Sequence, residues 1–119
     1  MKKYKFTGET MEFLDQTLHR IQAVRAFNGV NPGDNGGWIL GEKSLSHSGD
    51  AWVYGNAQVY GDAQVYGDAQ VYGDARVYGN AQVYGDARVS GNAWVYGNAQ
   101  VSGNAWVCGN AWVYGNAQV

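Results

Sequence analysis

Small apolar residues recur along the second half of the chain with a strict period. Valine occupies every sixth position from Val53 to Val119, and alanine stands two residues before each of these twelve valines, from Ala51 to Ala117. Residues two apart lie on the same face of an extended chain, so each Ala-x-Val triplet places alanine and valine on one side and the middle residue on the other. The pattern predicts a series of short strands, each with one apolar face.

A turn signal precedes each of these predicted strands. Glycine followed by Asn or Asp recurs every sixth residue from Gly49 to Gly115, so the unit is Gly-[Asn/Asp]-Ala-x-Val-[Tyr/Ser/Cys]. Glycine tolerates positive φ, and Asn and Asp favour turns. One turn and one strand per unit are typical of a solenoid, whose units bury their apolar faces against each other. The calcium-binding β-roll and the coiled coil are excluded because their repeats differ in length.

The boundary of the solenoid is predicted to lie before the perfect repeat. Leu45 follows Ile39 by six residues and Val53 follows Leu45 by eight, which indicates a partial first turn with an insertion of two residues. We therefore divide the chain into an N-terminal β cap, 1–38, and a repeat region, 39–119. A cap is expected because the first turn of a solenoid needs a cover.

Within the cap, the segment 12–27 allows two interpretations. It fits a hairpin that turns at Asp15 and Gln16. It also fits a helix with Asp15 as its N-cap, whose apolar face would carry Leu14, Leu18 and Ile21.

The repeat unit, written Val-[Tyr/Ser/Cys]-Gly-[Asn/Asp]-Ala-x, resembles the hexapeptide repeat of left-handed parallel β-helices, which is aliphatic at its first position and small at its fifth. The resemblance covers residues 49–119. It implies an all-β fold of about four triangular turns with three hexapeptides in each, an exception to the right-handed crossover rule. At a strand spacing of about 4.8 Å, this β-helix would be roughly 19 Å tall.

The cap also carries a resemblance. The sequence TLHRIQAVRAF, followed later by GDNGGWI and SLSHSGDAWV, is similar to the β cap that precedes hexapeptide repeats in bacterial and phage proteins of uncharacterised function, some of them described as transferases. This similarity favours the hairpin over the helix for 12–27.

Charge and cysteine content restrict the function classes. The chain has 8 basic and 10 acidic residues, and its repeat region carries five Asp against Arg76 and Arg88. A nucleic-acid partner is not expected, because phosphate binding normally requires a basic stripe. The single cysteine, Cys108, and the absence of a secretory apolar segment predict a cytoplasmic protein, and no stretch is apolar enough for a transmembrane helix.

Few residues suggest chemistry. Hexapeptide β-helices are best known as acyltransferases, and this resemblance implies trimers with a histidine base at a subunit interface. The chain offers His19, which we interpret as a strand residue, and His47, a weak candidate for the base. The zinc carbonic anhydrases of this fold need three histidine ligands, so no metal site is predicted. Cys108 replaces Tyr or Ser of other repeats and is interpreted as a neutral substitution.

An acidic column is predicted at one corner of the solenoid. Asp50, Asp68 and Asp86 recur every eighteenth residue and would lie about 5 Å apart on successive turns. Such a column could attract calcium or could repel weakly in water, and we favour weak repulsion.

Outward side chains are expected to form columns in the same way. One face carries adjacent Tyr and Trp columns, an apolar patch of the kind that marks an interaction site, although stacked tyrosines can also simply stabilise their own surface. Trp52 on another face is likewise expected to point outward. The predicted binding residues are Tyr60, Tyr78, Trp94, Tyr96, Trp112 and Tyr114.

These features predict a non-catalytic binding or scaffold module. It would form a homo-oligomer, either a trimer or an end-to-end dimer through the strand edge at Val119, or bind a protein partner. One alternative is an acyltransferase-like enzyme that uses His47. The other is a phage-type small-ligand binder or decoy, which would stack a nucleotide or a sugar between aromatic side chains of neighbouring protomers. No cofactor is predicted.

Overall fold

Short strands dominate the computed structural model, which describes residues 2–13, 15–27 and 29–119. Leu14, which the helical alternative used, lies outside the described residues. The chain begins with β1 (Tyr4–Phe13), β2 (Gln16–Ala23) and β3 (Asn35–Ile39), and a 3-10 turn follows at Glu42–Ser44. The repeat strands are β4 (Trp52–Val53), β5 (Gln58–Val59), β6 (Gln64–Val65), β7 (Gln70–Val71), β8 (Arg76–Val77), β9 (Gln82–Val83), β10 (Arg88–Val89), β11 (Trp94–Val95), β12 (Gln100–Val101), β13 (Trp106–Val107) and β14 (Trp112–Val113).

The repeat strands form a β-solenoid of about four turns with three parallel sheets. Val59 pairs with Val77 and Val77 with Val95, so each turn contains eighteen residues. The sheet orders are β1-β2-β3-β5-β8-β11-β14, β4-β7-β10-β13 and β6-β9-β12. The predicted all-β repeat fold is therefore confirmed.

Backbone hydrogen bonds join successive turns at both strands and corners. The N–H of Gln58 donates to the carbonyl oxygen of Ala75 at 3.0 Å, and the N–H of Asp62 donates to that of Gly79 at 2.8 Å. Gly79 has a φ of +70°, a conformation that side-chain-bearing residues rarely adopt. Each corner therefore requires a glycine, which recurs once in every six-residue unit.

The solenoid axis is filled by the repeat's alanines and valines. Ala75, Val77, Ala93 and Val95 are completely buried, as are most of their equivalents between Ala51 and Val101. These side chains form one continuous apolar core that also includes Ile39 and Leu45. Burial of this core favours folding, since each fully buried valine contributes roughly 1.5–3 kcal/mol.

A β-hairpin begins the cap. β1 pairs antiparallel with β2, with Phe13 opposite Gln16, and Asp15 in the turn has a φ of +62°. The hairpin interpretation of 12–27 is confirmed.

The third strand joins the hairpin to the solenoid. β3 pairs antiparallel with β2 and parallel with β5, where Ile39 lies opposite Val59. These two residues are twenty positions apart, whereas Val53 and Val71 pair at a distance of eighteen. The register therefore places two extra residues before Val53, in agreement with the spacing of apolar residues.

The cap also covers part of the first full turn. Trp52 is only 1% exposed, and its ring makes edge contacts with Tyr4 and Phe27 at centroid distances of 6.2 and 5.2 Å. The prediction that Trp52 is exposed is wrong, because aromatic side chains of the non-repeating segment enclose it. No helix in the part of the chain that the structure describes is long and apolar enough to cross a membrane.

Candidate functional site

Tyrosines on the largest sheet stack in one continuous column. The rings of Tyr60 and Tyr78 are parallel, with centroids 4.9 Å apart, and Tyr78 and Tyr96 are 5.0 Å apart. Tyr114 continues the column at 5.4 Å from Tyr96. The strand spacing of about 4.8 Å sets this separation, so the backbone imposes the stacking.

A tryptophan column runs beside the tyrosines. Trp94 and Trp112 stack with centroids 5.2 Å apart and planes inclined by 5°. Trp94 also meets Tyr78 edge-on at 6.2 Å, and Trp112 meets Tyr96 edge-on at 6.5 Å. Stacked and edge-on contacts are the preferred arrangements of aromatic rings. We use the name aromatic face for the set Tyr78, Trp94, Tyr96, Trp112 and Tyr114.

A cation adjoins the aromatic face. The guanidinium carbon of Arg76 lies 5.4 Å from the centre of the Trp94 ring, within the range of a cation–π interaction. Arg76 precedes Trp94 in the same cross-strand column, because β8 pairs with β11. The aromatic face is thus apolar, with one positive charge at the edge nearest the N-terminal cap.

The aromatic face is accessible to different degrees along the axis. Trp112 and Tyr114 are 58% and 57% exposed, whereas Tyr78, Trp94 and Tyr96 are half-buried by their stacking neighbours. All six side chains of the predicted set therefore lie together on one sheet, but Tyr60 differs from the other five in its exposure.

Tyr60 is 5% exposed, so the prediction that its side chain is exposed is wrong. Its neighbours explain the burial: the amide of Gln58 contacts Met11 Sδ at 3.8 Å, and the N–H of Gly61 donates to Oε1 of Gln16 at 3.2 Å. The hairpin thus covers this part of the sheet. Burial raises the pKa of Tyr60 to about 12, with a smaller contribution from Tyr78.

Asparagine side chains form a ladder at the corner that follows the aromatic face. Nδ2 of Asn80 donates to Oδ1 of Asn98, and Nδ2 of Asn98 donates to Oδ1 of Asn116, each at 3.3 Å. Amide ladders of this kind stabilise stacked in-register strands. This edge of the aromatic face is consequently uncharged along Asn80, Asn98 and Asn116. We did not predict this ladder, although the sequence carries a signal for it, since Asn recurs at these positions every eighteenth residue.

His47, the weak catalytic candidate, contacts the first strand of the cap. Its Nδ1 accepts a hydrogen bond from the backbone N–H of Lys3 at 3.0 Å, and its Nε2 lies 3.0 Å from Oε1 of Glu42. The ring also stacks on Tyr4 at 4.1 Å. The hydrogen bond from His47 lowers the pKa of Glu42, and Lys2 lowers it further. With Nδ1 accepting and Nε2 donating to a carboxylate, the imidazole has no free lone pair for proton abstraction.

The other candidate groups are separate from the aromatic face. His19 lies on β2 and stacks on Phe6 at 4.5 Å. Cys108 is a free and exposed thiol. In the acidic column, Oδ1 of Asp68 accepts a hydrogen bond from the N–H of Asp50 at 3.1 Å. Within the described residues, no group of three or more His, Cys, Asp or Glu side chains is arranged to hold a metal ion.

Comparison with known proteins supports the repeat architecture. Three segments, 69–83, 81–97 and 99–115, match a family model described as the YdcK beta solenoid repeat. The matched segments include Tyr78, Trp94, Tyr96, Trp112 and Tyr114, and they exclude the cap. A search of curated proteins finds no match. The chain is therefore similar to a β-solenoid repeat family in the part that carries the aromatic face.

Proposed function

We propose that this protein is a non-catalytic binding module that self-associates through the aromatic face. A β-solenoid repeat protein fits a scaffold or binding role in general. The observation that carries the specific proposal is the parallel stack of Trp94 on Trp112, edge-on to the tyrosine column.

Rigidity supports a binding role for this face. Each aromatic side chain is held by ring stacking and by strands that are hydrogen-bonded on successive turns, so little rotamer freedom remains to be lost on association. Tryptophan, tyrosine and arginine are the residue types that contribute most to protein interfaces. An exposed cluster of them on one flat sheet is a surface that association would stabilise.

A second copy of the chain is the simplest partner for the aromatic face. Two copies related by a two-fold axis would place the same patch on both sides, which makes the contact self-complementary. Aromatic rings would then meet aromatic rings, and Arg76 of each copy could lie over an exposed ring of the other. A trimer would bury the same side chains in clefts between subunits.

The test is the mass in solution over a concentration series, measured by light scattering behind a sizing column. The variant Trp94→Gln with Trp112→Gln is suitable because Gln58 occupies the same column in the wild type. We expect the wild type to be a dimer or a trimer and the double variant to be a monomer with an unchanged circular dichroism spectrum. The matched control is Trp106→Gln on another sheet, which should remain oligomeric.

Two results would overturn self-association through this face. One is a wild type that is monomeric at every concentration. Pull-down experiments with the same variants would then search for a different protein partner. The other is an oligomer that survives the double substitution.

The acyltransferase alternative has less support from the geometry. A base at His47 would have to break its contacts with Lys3 and Glu42, and these contacts hold the cap. The cytoplasmic location remains part of the proposal, supported by the single free thiol of Cys108, since reduced thiols are typical of that compartment.

A further inference from the structure

A second surface lies on a different sheet from the aromatic face. It is an open groove of about 510 Å³ that runs parallel to the solenoid axis. One wall is the cross-strand column of Gln70, Arg88 and Trp106, which pair in register on β7, β10 and β13. The other wall is the corner that carries Asp68 and Asp86. We call this surface the β10 groove.

We infer that the β10 groove binds an extended neutral oligosaccharide. A pyranose ring has hydroxyl groups around its rim and C–H groups on its faces, so its binding requires polar side chains beside an aromatic plane. Carboxylate, amide and guanidinium groups supply acceptors and donors for hydroxyls, and an indole supplies the plane. The β10 groove combines all of these on adjacent columns.

The aromatic plane is oriented by its neighbour. Trp106 is 65% exposed, and the guanidinium carbon of Arg88 lies 5.3 Å from the centre of its ring. The guanidinium covers one face of the indole, which leaves the opposite face available to a ligand. An exposed indole held in one orientation is suited to the flat face of a sugar ring.

One acceptor in the groove is also fixed. Oδ1 of Asp68 accepts a hydrogen bond from the backbone N–H of Asp50 at 3.1 Å, which sets the direction of the second carboxylate oxygen. Asp86 stands in the equivalent place on the next turn, about 4.8 Å away. Because the polar side chains repeat along the axis, an extended chain of sugars fits the groove better than a single one.

The charge of the groove disfavours anionic polysaccharides. Three carboxylates line it, from Asp50, Asp68 and Asp86, against the single guanidinium of Arg88. Anionic ligands such as uronic-acid chains or phosphates would meet net repulsion. The lining is also predominantly polar, which suits a hydroxylated ligand rather than an apolar one.

The experiment has two stages and uses the full chain. An array of immobilised neutral, uronic and amino-sugar oligosaccharides identifies the ligand class, and titration calorimetry with the best tetrasaccharide then measures the dissociation constant per binding site. The variants are Trp106→Gln and Asp68→Asn with Asp86→Asn, since Gln70 and Asn104 already occupy the corresponding positions in other repeats. Trp112→Gln on the aromatic face is the matched control, and thermal melting verifies the fold of each variant.

We expect binding of neutral oligosaccharides, weakened at least tenfold by Trp106→Gln and by the double Asp substitution and unchanged by Trp112→Gln. The inference is overturned if no neutral oligosaccharide on the array binds, or if Trp106→Gln binds as tightly as the wild type. It is also overturned if only amino sugars bind and spermidine competes, because the groove would then be a cation site. This site is independent of the proposed self-association, which the double variant Trp94→Gln with Trp112→Gln tests separately.

Discussion

The backbone N–H of Lys3 donates a hydrogen bond to Nδ1 of His47 at 3.0 Å, and this bond connects the first strand of the cap to the segment that enters the solenoid. The same imidazole is held by Glu42 and by the ring of Tyr4. His47, the candidate for a catalytic base, therefore has a structural role, because it holds the cap against the solenoid.

Replacing this imidazole should destabilise the protein without affecting the aromatic face. His47→Ala leaves the buried N–H of Lys3 without its acceptor, which typically costs about 1–3 kcal/mol. We expect the free energy of unfolding, measured by urea denaturation, to fall by that amount, and His19→Ala to have a smaller effect because His19 only stacks on Phe6. Equal effects of the two substitutions would contradict the role assigned to His47.

A pH dependence follows from the buried ammonium group of Lys3. The side chain is fully buried, donates to the carbonyl oxygen of Ala51, and lies 5.1 Å from the centre of the Phe27 ring. Burial, with a smaller contribution from the charge of Arg25, lowers the pKa of Lys3 to about 8. The folded chain therefore loses this proton at a lower pH than the unfolded chain does.

The sign of the effect is set by proton binding. Between pH 8 and the ordinary lysine value of 10.5, the unfolded state binds more protons, so the free energy of unfolding rises with pH. Tyr60 acts in the opposite direction only above pH 10, because its pKa is raised from 10.0 to about 12. Urea unfolding between about pH 7.5 and pH 10 should show this rise for the wild type and a flatter profile for Lys3→Met. A fall with pH in the wild type would contradict the assignment.

The repeat region was predictable because its pattern is local and periodic. The six-residue period with one glycine corner per unit predicts the short strands, and the resemblance to β-helices with three hexapeptides per turn places Val59 under Val77, which the pairing confirms. The same argument placed Trp94 over Trp112, and the two rings do stack.

The cap's effect on the surface was not predictable in this way. Burial of Tyr60 depends on Met11 and Gln16, which are more than forty residues away and have no counterpart in the repeat. Trp52 is likewise enclosed by Tyr4 and Phe27 from the non-repeating segment. Periodicity determines which way a side chain points, whereas contacts of distant, non-periodic segments determine whether it remains exposed.

The asparagine ladder should make a measurable contribution to stability. Asn98 both accepts from Asn80 and donates to Asn116, so Asn98→Ala removes two side-chain hydrogen bonds at an exposed corner. We expect a loss of about 1 kcal/mol, since a net hydrogen bond contributes roughly 0.5–1.5 kcal/mol and exposure reduces this value. Asn104→Ala is the control, because among the described residues no side-chain hydrogen bond joins Asn104 to Asp86, its neighbour on the previous turn. Chemical denaturation that gives equal losses for both variants would show that the ladder contributes nothing.

Alanine substitutions at two glycines with the same φ can distinguish two destabilising effects. One is the strain of a left-handed backbone conformation, and the other is the steric clash of a methyl group with the next turn. Gly91 and Gly109 both have a φ of +66°. A Cβ atom on Gly91 would lie 2.9 Å from the N and 3.0 Å from the O of Gly109, whereas a Cβ atom on Gly109 would meet nothing within 4 Å. Gly109→Ala should therefore lower the free energy of unfolding only by the strain of the left-handed conformation, about 1–2 kcal/mol.

Gly91→Ala should cost more than this, because the added methyl group forces the next turn away from its hydrogen-bonding position. The N–H of Asn92 donates to the carbonyl oxygen of Gly109 at 2.8 Å, and this bond would lengthen or break. We expect an additional loss of at least about 1 kcal/mol in the free energy of unfolding, measured side by side in guanidinium chloride. If the two alanine variants were equally stable, close packing between corners would not be the reason that glycine recurs at every sixth residue, and the left-handed φ alone would account for it.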